Sequence, residues 1–243
     1  MIAKIIVPIV LAAGVVGCAS TDEPTAPTRP SAARPLAANL VSPTDIKLEW
    51  QNVDQGAAGH VVEYASERGG PYTILQFAPP GQTTYAHEQL MPQTPFYYRL
   101  RPYYGPAAAP IEVTLPQGPT SEGTEASTEW ADPKTVAVGQ PATTSIRSGG
   151  DAGTPTELKA TVMGVEGIKF TWVDHATDEE AYLIEMKLPG SPDYSVLMTL
   201  DPNVNSVGVV TLPDEKVAQF RVRPIYYGKA SNIATRTTGG TAD

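Results

Sequence analysis

The chain of 243 residues contains a single cysteine, Cys18, and this scarcity excludes a disulfide framework within one molecule. Basic residues are also outnumbered, since 17 lysines and arginines face 26 aspartates and glutamates. The formal net charge is −9. Because nucleic-acid-binding domains need a basic patch, this balance argues against a nucleic-acid partner.

Groups that could carry out catalysis are equally few. The chain has three histidines, and no serine or cysteine nucleophile has a plausible base in its sequence context. No glycine-rich loop with the spacing of a phosphate-binding motif is present. The sequence therefore predicts a protein that is not an enzyme and that needs no cofactor and no metal.

What the chain does contain is a long internal repeat. The stretch Tyr98–Pro102 returns as Phe220–Pro224, a shift of 122 residues (220 − 98 = 122), and the same shift carries Trp50 onto Trp172. Both stretches alternate apolar and charged residues, as a half-buried strand requires. The predicted core therefore holds the apolar members of these strands and the two indoles: Trp50, Tyr98, Leu100, Trp172, Phe220 and Val222.

Each repeat reads as several short strands separated by turn signals. In the first repeat, residues 36–116, the run Ile46–Trp50 alternates cleanly, and the last predicted strand is Ile111–Leu115. The second repeat is residues 156–237. Seven short strands with no amphipathic helix predict an all-β sandwich for each repeat.

The strand motifs resemble those of fibronectin type III domains. That family carries a tryptophan on its second strand, a Gly/Ala-Tyr-x-Val/Ile-Glu third strand and a Leu-x-Pro-x-Thr sixth-strand entry. Trp50, Gly59–Glu63 and Leu90–Pro102 fit this pattern in the first repeat, and Trp172–Glu185 fits it in the second. The resemblance implies two immunoglobulin-like (fibronectin type III) β-sandwiches in tandem.

One departure from the family concerns its corner tyrosine. The positions at the start of the sixth strand hold Phe96 and Ala218 instead. The hydroxyl-to-backbone bond that the family tyrosine makes is therefore missing, which implies some loss of stability in both domains.

The first eighteen residues have the features of an export signal. Lys4 supplies a positive charge, and the apolar run from Ile5 to Val16 is too short to cross a bilayer of ~30 Å. The run leads into Cys18 through Val-Val-Gly, which resembles the lipobox of bacterial lipoproteins. The resemblance implies cleavage before Cys18 and its acylation by fatty acids such as palmitate. An ordinary signal peptide with an incidental cysteine is the alternative.

The predicted address follows from the residues after Cys18. Ala19 and Ser20 stand there, so the aspartate that retains many Gram-negative lipoproteins at the inner membrane is absent. This favours the outer membrane, on its periplasmic face or at the cell surface. The Pro/Ala/Thr-rich residues 19–35 predict a semi-stiff stalk between the anchor and the first domain.

The segment between the repeats, residues 117–155, is rich in Ser, Thr, Gly and Glu and predicts a flexible linker. Trp130 is unusual there, because its large ring prefers cover. Packing onto one domain and service as a partner-binding anchor are the two alternatives. Thr135–Val138 is a candidate strand at a sheet edge, and residues 238–243 are predicted to be a frayed tail.

Three groups of side chains are candidates for binding. The pairs Tyr103-Tyr104 and Tyr226-Tyr227 suit protein or sugar recognition by stacking. Arg99, Arg101, Arg221 and Arg223 form either a basic stripe for an anionic glycan or cross-strand ion pairs with Glu63 and Glu185. The acidic loop Asp174–Glu180 either fixes the loop through backbone amides or holds calcium, although it lacks the spacing of an EF-hand.

The function predicted from these features is that of a non-catalytic, lipid-anchored protein of the cell envelope. Its two domains would present a protein-interaction or adhesion surface. One alternative is a structural subunit or spacer of an envelope assembly, and another is an accessory carbohydrate-binding lipoprotein. The predicted partners are the lipid bilayer, through Cys18, and an unidentified protein or glycan.

Overall fold

The computed structural model describes residues 35–51, 54–118, 128–137 and 142–239. The first repeat forms seven strands: β1 (Ala37–Ser42), β2 (Asp45–Glu49), β3 (Gly59–Ala65), β4 (Thr73–Ala78), β5 (Thr84–His87), β6 (Pro95–Tyr104) and β7 (Ile111–Thr114). The second repeat also forms seven: β8 (Thr156–Val162), β9 (Gly167–Val173), β10 (Ala181–Lys187), β11 (Ser195–Leu200), β12 (Ser206–Val210), β13 (Val217–Tyr227) and β14 (Ala234–Thr237).

Short 3₁₀ turns at Thr128–Trp130 and Ile146–Ser148 are the only helical elements in the described part of the chain. No helix among those residues has the length and apolarity required to span a bilayer. The predicted signal sequence with Cys18, and all of the stalk but its last residue, lie outside the described residues.

The strands build two sandwiches of antiparallel sheets. In the first sandwich, the sheet β1-β2-β5 faces the sheet β4-β3-β6. In the second, β8-β9-β12 faces β11-β10-β13. The predicted all-β class with two immunoglobulin-like sandwiches in tandem is confirmed.

The last strand of each repeat joins the sandwich of the other repeat. β7 pairs with β13, with Ile111 opposite Phe220 and Thr114 opposite Val217. β14 pairs with β6, with Ala234 opposite Tyr98. We call this reciprocal arrangement the strand exchange. The first sandwich is therefore β1–β6 with β14, and the second is β8–β13 with β7.

The connections into the exchanged strands also run along the other sandwich. The backbone N–H of Ala108 donates to the carbonyl of Val222 at 2.9 Å, and that of Ser231 donates to Leu100 at 2.8 Å. Pro106 stiffens the segment after β6, which favours an extended exit over a tight reversal. Each sixth strand is thereby paired along most of its length with residues of the other repeat.

Gly105 is the residue that permits the crossing. Its φ of +141° is a conformation that other residues rarely adopt. A β-carbon at this position would lie 1.9 Å from the carbonyl oxygen of Pro224. The two backbone segments, at Gly105 and Pro224, can therefore pass this closely only because glycine has a hydrogen atom in place of a side chain.

The two sixth strands also meet each other. Tyr104 pairs with Tyr226, and Tyr103 pairs with Tyr227, so the inner sheets join into one continuous sheet. Position 226 is the repeat equivalent of position 104 (104 + 122 = 226). A residue that pairs with its own equivalent lies on an approximate two-fold axis, so the two repeats meet as the subunits of a symmetric dimer do.

Three apolar clusters hold the fold together. The core of the first sandwich contains Trp50, Tyr98 and Leu100, and accepts Ala234 from the exchanged strand. The core of the second sandwich contains the predicted residues Trp172, Phe220 and Val222. It also accepts Ala108, Val113 and Leu115 from the exchanged segment of the first repeat. A third cluster joins the two sandwiches, and its buried members are Val61, Tyr103, Ala181, Leu183 and Ile225. All six residues predicted for the core are at most 5% exposed.

Candidate functional site: the junction between the two sandwiches

The four tyrosines proposed as binding residues form the junction between the sandwiches. The rings of Tyr104 and Tyr226 stack with their centroids 5.2 Å apart and their planes 21° from parallel. Tyr103 and Tyr104 are buried, whereas Tyr226 and Tyr227 are half-buried. Much of their ring surface is therefore occupied by contacts between the repeats. Ligand binding by these rings stays a prediction.

The stacked pair is held from both sides. The hydroxyl of Tyr104 donates to Oδ2 of Asp54 at 2.6 Å, and burial together with this carboxylate raises the pKa of Tyr104 well above its ordinary value. The guanidinium of Arg147 lies 4.4 Å from the centroid of the Tyr226 ring, from the segment that precedes the second repeat. A loop of the first sandwich and a turn beside the second thus clamp the same stack.

A buried carboxylate stands on the outward face of each inner sheet. Glu63, on β3, is 2% exposed and accepts hydrogen bonds from Nε of Arg99 at 2.7 Å and from Nη2 of Arg101 at 2.8 Å. The ring of Tyr72 covers Arg99, with the guanidinium carbon 3.8 Å from the centroid. Alternation along the strands places these charges on the sheet face opposite the core.

The second repeat builds the equivalent cluster. Glu185 is 3% exposed and accepts from Nε of Arg221 at 2.5 Å and from Nε of Arg223 at 3.2 Å. The ring of Tyr194 lies over Arg221 at 3.8 Å. Of the two alternatives for these arginines, the structure shows the cross-strand ion pairs with Glu63 and Glu185.

Each cluster also reaches the other repeat, through different chemistry. Arg101 stacks on the ring of Tyr227, with its guanidinium carbon 4.1 Å from the centroid. Arg223 donates from Nη1 to the carbonyl of Gly105 at 2.6 Å. Positions 105 and 227 are repeat equivalents (105 + 122 = 227). The two-fold axis is therefore approximate, and the two sides of the junction are chemically different.

Trp130 lies against the second sandwich. A β-carbon at Gly208 would lie 2.3 Å from the indole, and one at Gly167 would lie 2.9 Å from it. Next to it, the backbone N–H of Lys134 donates to the carbonyl of Ser206 at 2.8 Å, which covers the edge of β12. The indole of Trp130 therefore packs against two glycines on the neighbouring strands β9 and β12. Its service as a partner anchor stays a prediction.

The acidic loop Asp174–Glu180 bonds to its own surroundings. Asp174 accepts from the backbone N–H of Ala176 at 2.9 Å and from the hydroxyl of Tyr182. Asp178 accepts from the backbone N–H of Ile146 at 2.8 Å, which ties the loop to the 3₁₀ turn beside it. Within the described residues, no group of three or more His, Cys, Asp or Glu side chains is arranged to hold a metal ion.

Two of the histidines belong to the first sandwich. His60 is 1% exposed, and burial lowers its pKa below the ordinary value, against the opposing charge of Asp54. Nδ1 of His87 lies 3.0 Å from the hydroxyl of Tyr98, and burial lowers the pKa of His87 as well. Both histidines are therefore held in their neutral form. His175 contacts the hydroxyl of Thr156 at 2.7 Å.

The sequence did not predict the strand exchange or the tyrosine rings that cover Arg99 and Arg221. The covering rings had a signal in the sequence, since the 122-residue shift carries Tyr72 onto Tyr194. The exchange left one trace, which is the glycine and prolines immediately after β6. These residues also fit an ordinary loop, so they do not identify a crossing.

No protein-family model matches the chain. Over 80 residues, 32% of this chain, it is 34% identical to integrin beta-4 of Rattus norvegicus and of Mus musculus. The matched segment is 4% of those proteins, so the chain spans a small part of their length.

The solved structures that resemble the chain are fibronectin type III or Fn3-like proteins. An Fn3-like protein from Clostridium thermocellum is 25% identical and similar over 31% of this chain and 77% of its own, with a TM-score of 0.28. A segment of two fibronectin type III domains from chicken tenascin is 14% identical. It is similar over 85% of this chain and 98% of its own, with a TM-score of 0.27.

Replacing the buried carboxylate of the second cluster tests its role in the junction. Glu185→Gln should lower the free energy of unfolding by about 3 kcal/mol, because two arginines then lose their counter-charge in a buried setting. The matched control is Glu157→Gln. The ion pair of Glu157 with Lys159 is exposed, so its loss should lower the free energy of unfolding by about 1 kcal/mol or less. Urea unfolding of both variants makes the measurement, and equal losses would contradict a buried charge cluster.

The neutral histidines predict a pH dependence of stability. In the unfolded chain, His60 and His87 titrate near the ordinary value of 6.5, whereas their folded pKa values are lower. As the pH falls below 6.5, the unfolded state binds protons first, so the free energy of unfolding should fall between about pH 7 and pH 5.5. Urea unfolding across this range should show the decline, and His60→Gln should make it shallower. A profile that is flat or rises towards acid would contradict the assignment.

Proposed function

We infer that the chain is a non-catalytic interaction or adhesion module, held at a bacterial cell envelope by a lipid on Cys18. The observation that carries this proposal is the position of the two ends of the described chain. The backbone N–H of Leu36 donates to the side chain of Asn232 at 2.8 Å, and Asn232 donates back to the carbonyl of Leu36 at 3.0 Å. Gly239 bonds to the carbonyl of Pro43 at 2.8 Å.

This arrangement decides which part of the molecule would face outward. Both ends belong to the first sandwich, so a tether that precedes Leu36 attaches there. The second sandwich then lies farther from the anchor than the first. Two sandwiches joined side by side also make a shorter body than two domains strung end to end. A compact body suits the display of a surface better than it suits the spanning of a distance, which favours an interaction module over a spacer.

The chemistry of the described residues fits the same role. Within each charged cluster, the glutamate is paired with its two arginines. His60 is buried in the first sandwich, and His87 contacts the Tyr98 hydroxyl there. The 80-residue similarity to integrin beta-4 fits a protein-interaction or adhesion module. Acylation by more than one chain would give stable anchoring, since each buried CH₂ contributes ~0.8 kcal/mol to membrane affinity.

A single experiment in intact cells tests the anchor and the partner together. The wild-type chain and Cys18→Ser are expressed separately, crosslinked in place and fractionated. The wild-type chain should sediment with membranes and crosslink reproducibly to an envelope protein or glycan. Cys18→Ser should appear in the soluble fraction, because the acylated residue is gone.

The outcomes separate the two parts of the proposal. Membrane retention of Cys18→Ser would refute the lipid anchor. Absence of any reproducible crosslinked species with the wild-type chain would refute the interaction module. A crosslinked neighbour at fixed stoichiometry throughout the envelope would instead identify a structural subunit.

A further inference from the structure

A cleft of about 300 Å³ opens between the two sandwiches on one side of the junction. The first sandwich contributes Tyr103 and the pair Pro79-Pro80 to its wall, and the second contributes Lys187, Tyr194 and Arg221. This volume is at the lower end of the range for small-molecule sites. Because both sandwiches form the wall, the cleft exists only while they are docked.

Several hydrogen-bond donors in this cleft have no acceptor among the described residues. Arg221 donates from Nε to Glu185, and its two terminal nitrogens have no partner within the described part of the chain. Lys187 donates to the carbonyl of Pro192 at 3.0 Å, which occupies one of its three protons. The hydroxyl of Tyr103 donates to no described group, although the residue is 2% exposed. Burial, reinforced by the charge of Glu185, raises the pKa of Tyr103 to about 12, so this hydroxyl keeps its proton.

The charge of the cleft is opposite to that of the protein. Its lining holds three cations, on Lys187, Arg221 and Arg223, and two carboxylates, on Glu185 and Asp193. The balance is one positive charge (3 − 2 = 1) in a chain whose net charge is −9. One negative charge on a ligand would neutralise it, and a planar carboxylate matches the geometry of a guanidinium group.

We propose that this cleft binds a small ligand through a single carboxylate group, which receives hydrogen bonds from Arg221, Lys187 and Tyr103. The tyrosine and proline surfaces of the wall then contact the apolar part of the ligand. The site goes beyond the proposed function, since it requires neither the lipid anchor nor a macromolecular partner.

The repeat supplies an internal comparison for this site. At the equivalent positions of the other side, Tyr103 is replaced by Ile225 and Lys187 by Ala65. Tyr227 also stacks on Arg101 there, where the cleft side has Gly105. The equivalent region therefore lacks both the hydroxyl and the ammonium group, so a carboxylate should be recognised on one side of the junction alone.

The test is a titration of the full chain in detergent, followed by NMR. D-glucuronate and N-acetylglycine present a carboxylate on a sugar and on an amide, and D-glucose is the neutral control. The amide signals of Tyr103 and Lys187 should shift saturably with at least one of the two carboxylates. That of Ala65, the equivalent of Lys187 on the other side, should not shift. The carboxylate that binds identifies the source of the ligand as an acidic sugar or a peptide-like acid.

Variants show whether the named donors hold the ligand. Lys187→Gln should weaken binding about tenfold and Tyr103→Phe about fivefold, because each removes one donor to a charged group. Lys159→Gln makes the same charge change on an exposed strand and should bind as the wild type does. Equal shifts with glucose, no binding of either carboxylate, or unchanged affinity in Lys187→Gln would each overturn the proposal.

Discussion

The architecture depends on the backbone pairing between each sixth strand and the last strand of the other repeat. A strand edge with unpaired N–H and C=O groups is costly when buried and adhesive when exposed. In this protein, β7 closes the edge of β13 and β14 closes the edge of β6. Neither repeat completes its own sandwich, so the stability of each depends on the other.

The charged and aromatic groups at the junction follow from that pairing. Where the sixth strands pair, Tyr104 faces Tyr226, and outward residues of the two inner sheets pack into one apolar cluster. Glu63 and Glu185 then become buried, and each keeps two arginines as hydrogen-bonding partners. A buried carboxylate without such partners would carry a large desolvation cost, so the alternation of charges along β6 and β13 is a condition for the docking. Gly105 provides the other condition, which is room for the crossing.

Much of the fold could be predicted from the sequence because it depends on local patterns. The 122-residue shift and the alternation around Leu100 and Val222 identify two β-sandwiches and their cores. The Glu–Arg pairs could be predicted because the family resemblance places the third and sixth strands of each repeat side by side, with Glu63 and Glu185 facing the arginines. The strand exchange could not be predicted, because Ile111–Leu115 has the same alternation whichever sixth strand it joins. The cleft was equally hidden, since Tyr103 and Arg221 come together only through the contact of two repeats. Non-local pairing of chemically similar edges is decided by connection geometry, which single-sequence patterns describe poorly.

Engineered disulfides test the strand exchange most directly. Glu112 lies opposite Gln219 across β7 and β13, and Tyr97 is the equivalent of Gln219 in the first repeat (219 − 122 = 97). Facing residues of antiparallel strands have Cα atoms ~4.5–5.5 Å apart, within the range of a disulfide. In a Cys18→Ser background, oxidation of the double variant Glu112→Cys with Gln219→Cys should form an intramolecular disulfide, and Glu112→Cys with Tyr97→Cys should stay reduced. A disulfide in the second pair and none in the first would show that each repeat closes its own sandwich, contrary to this account.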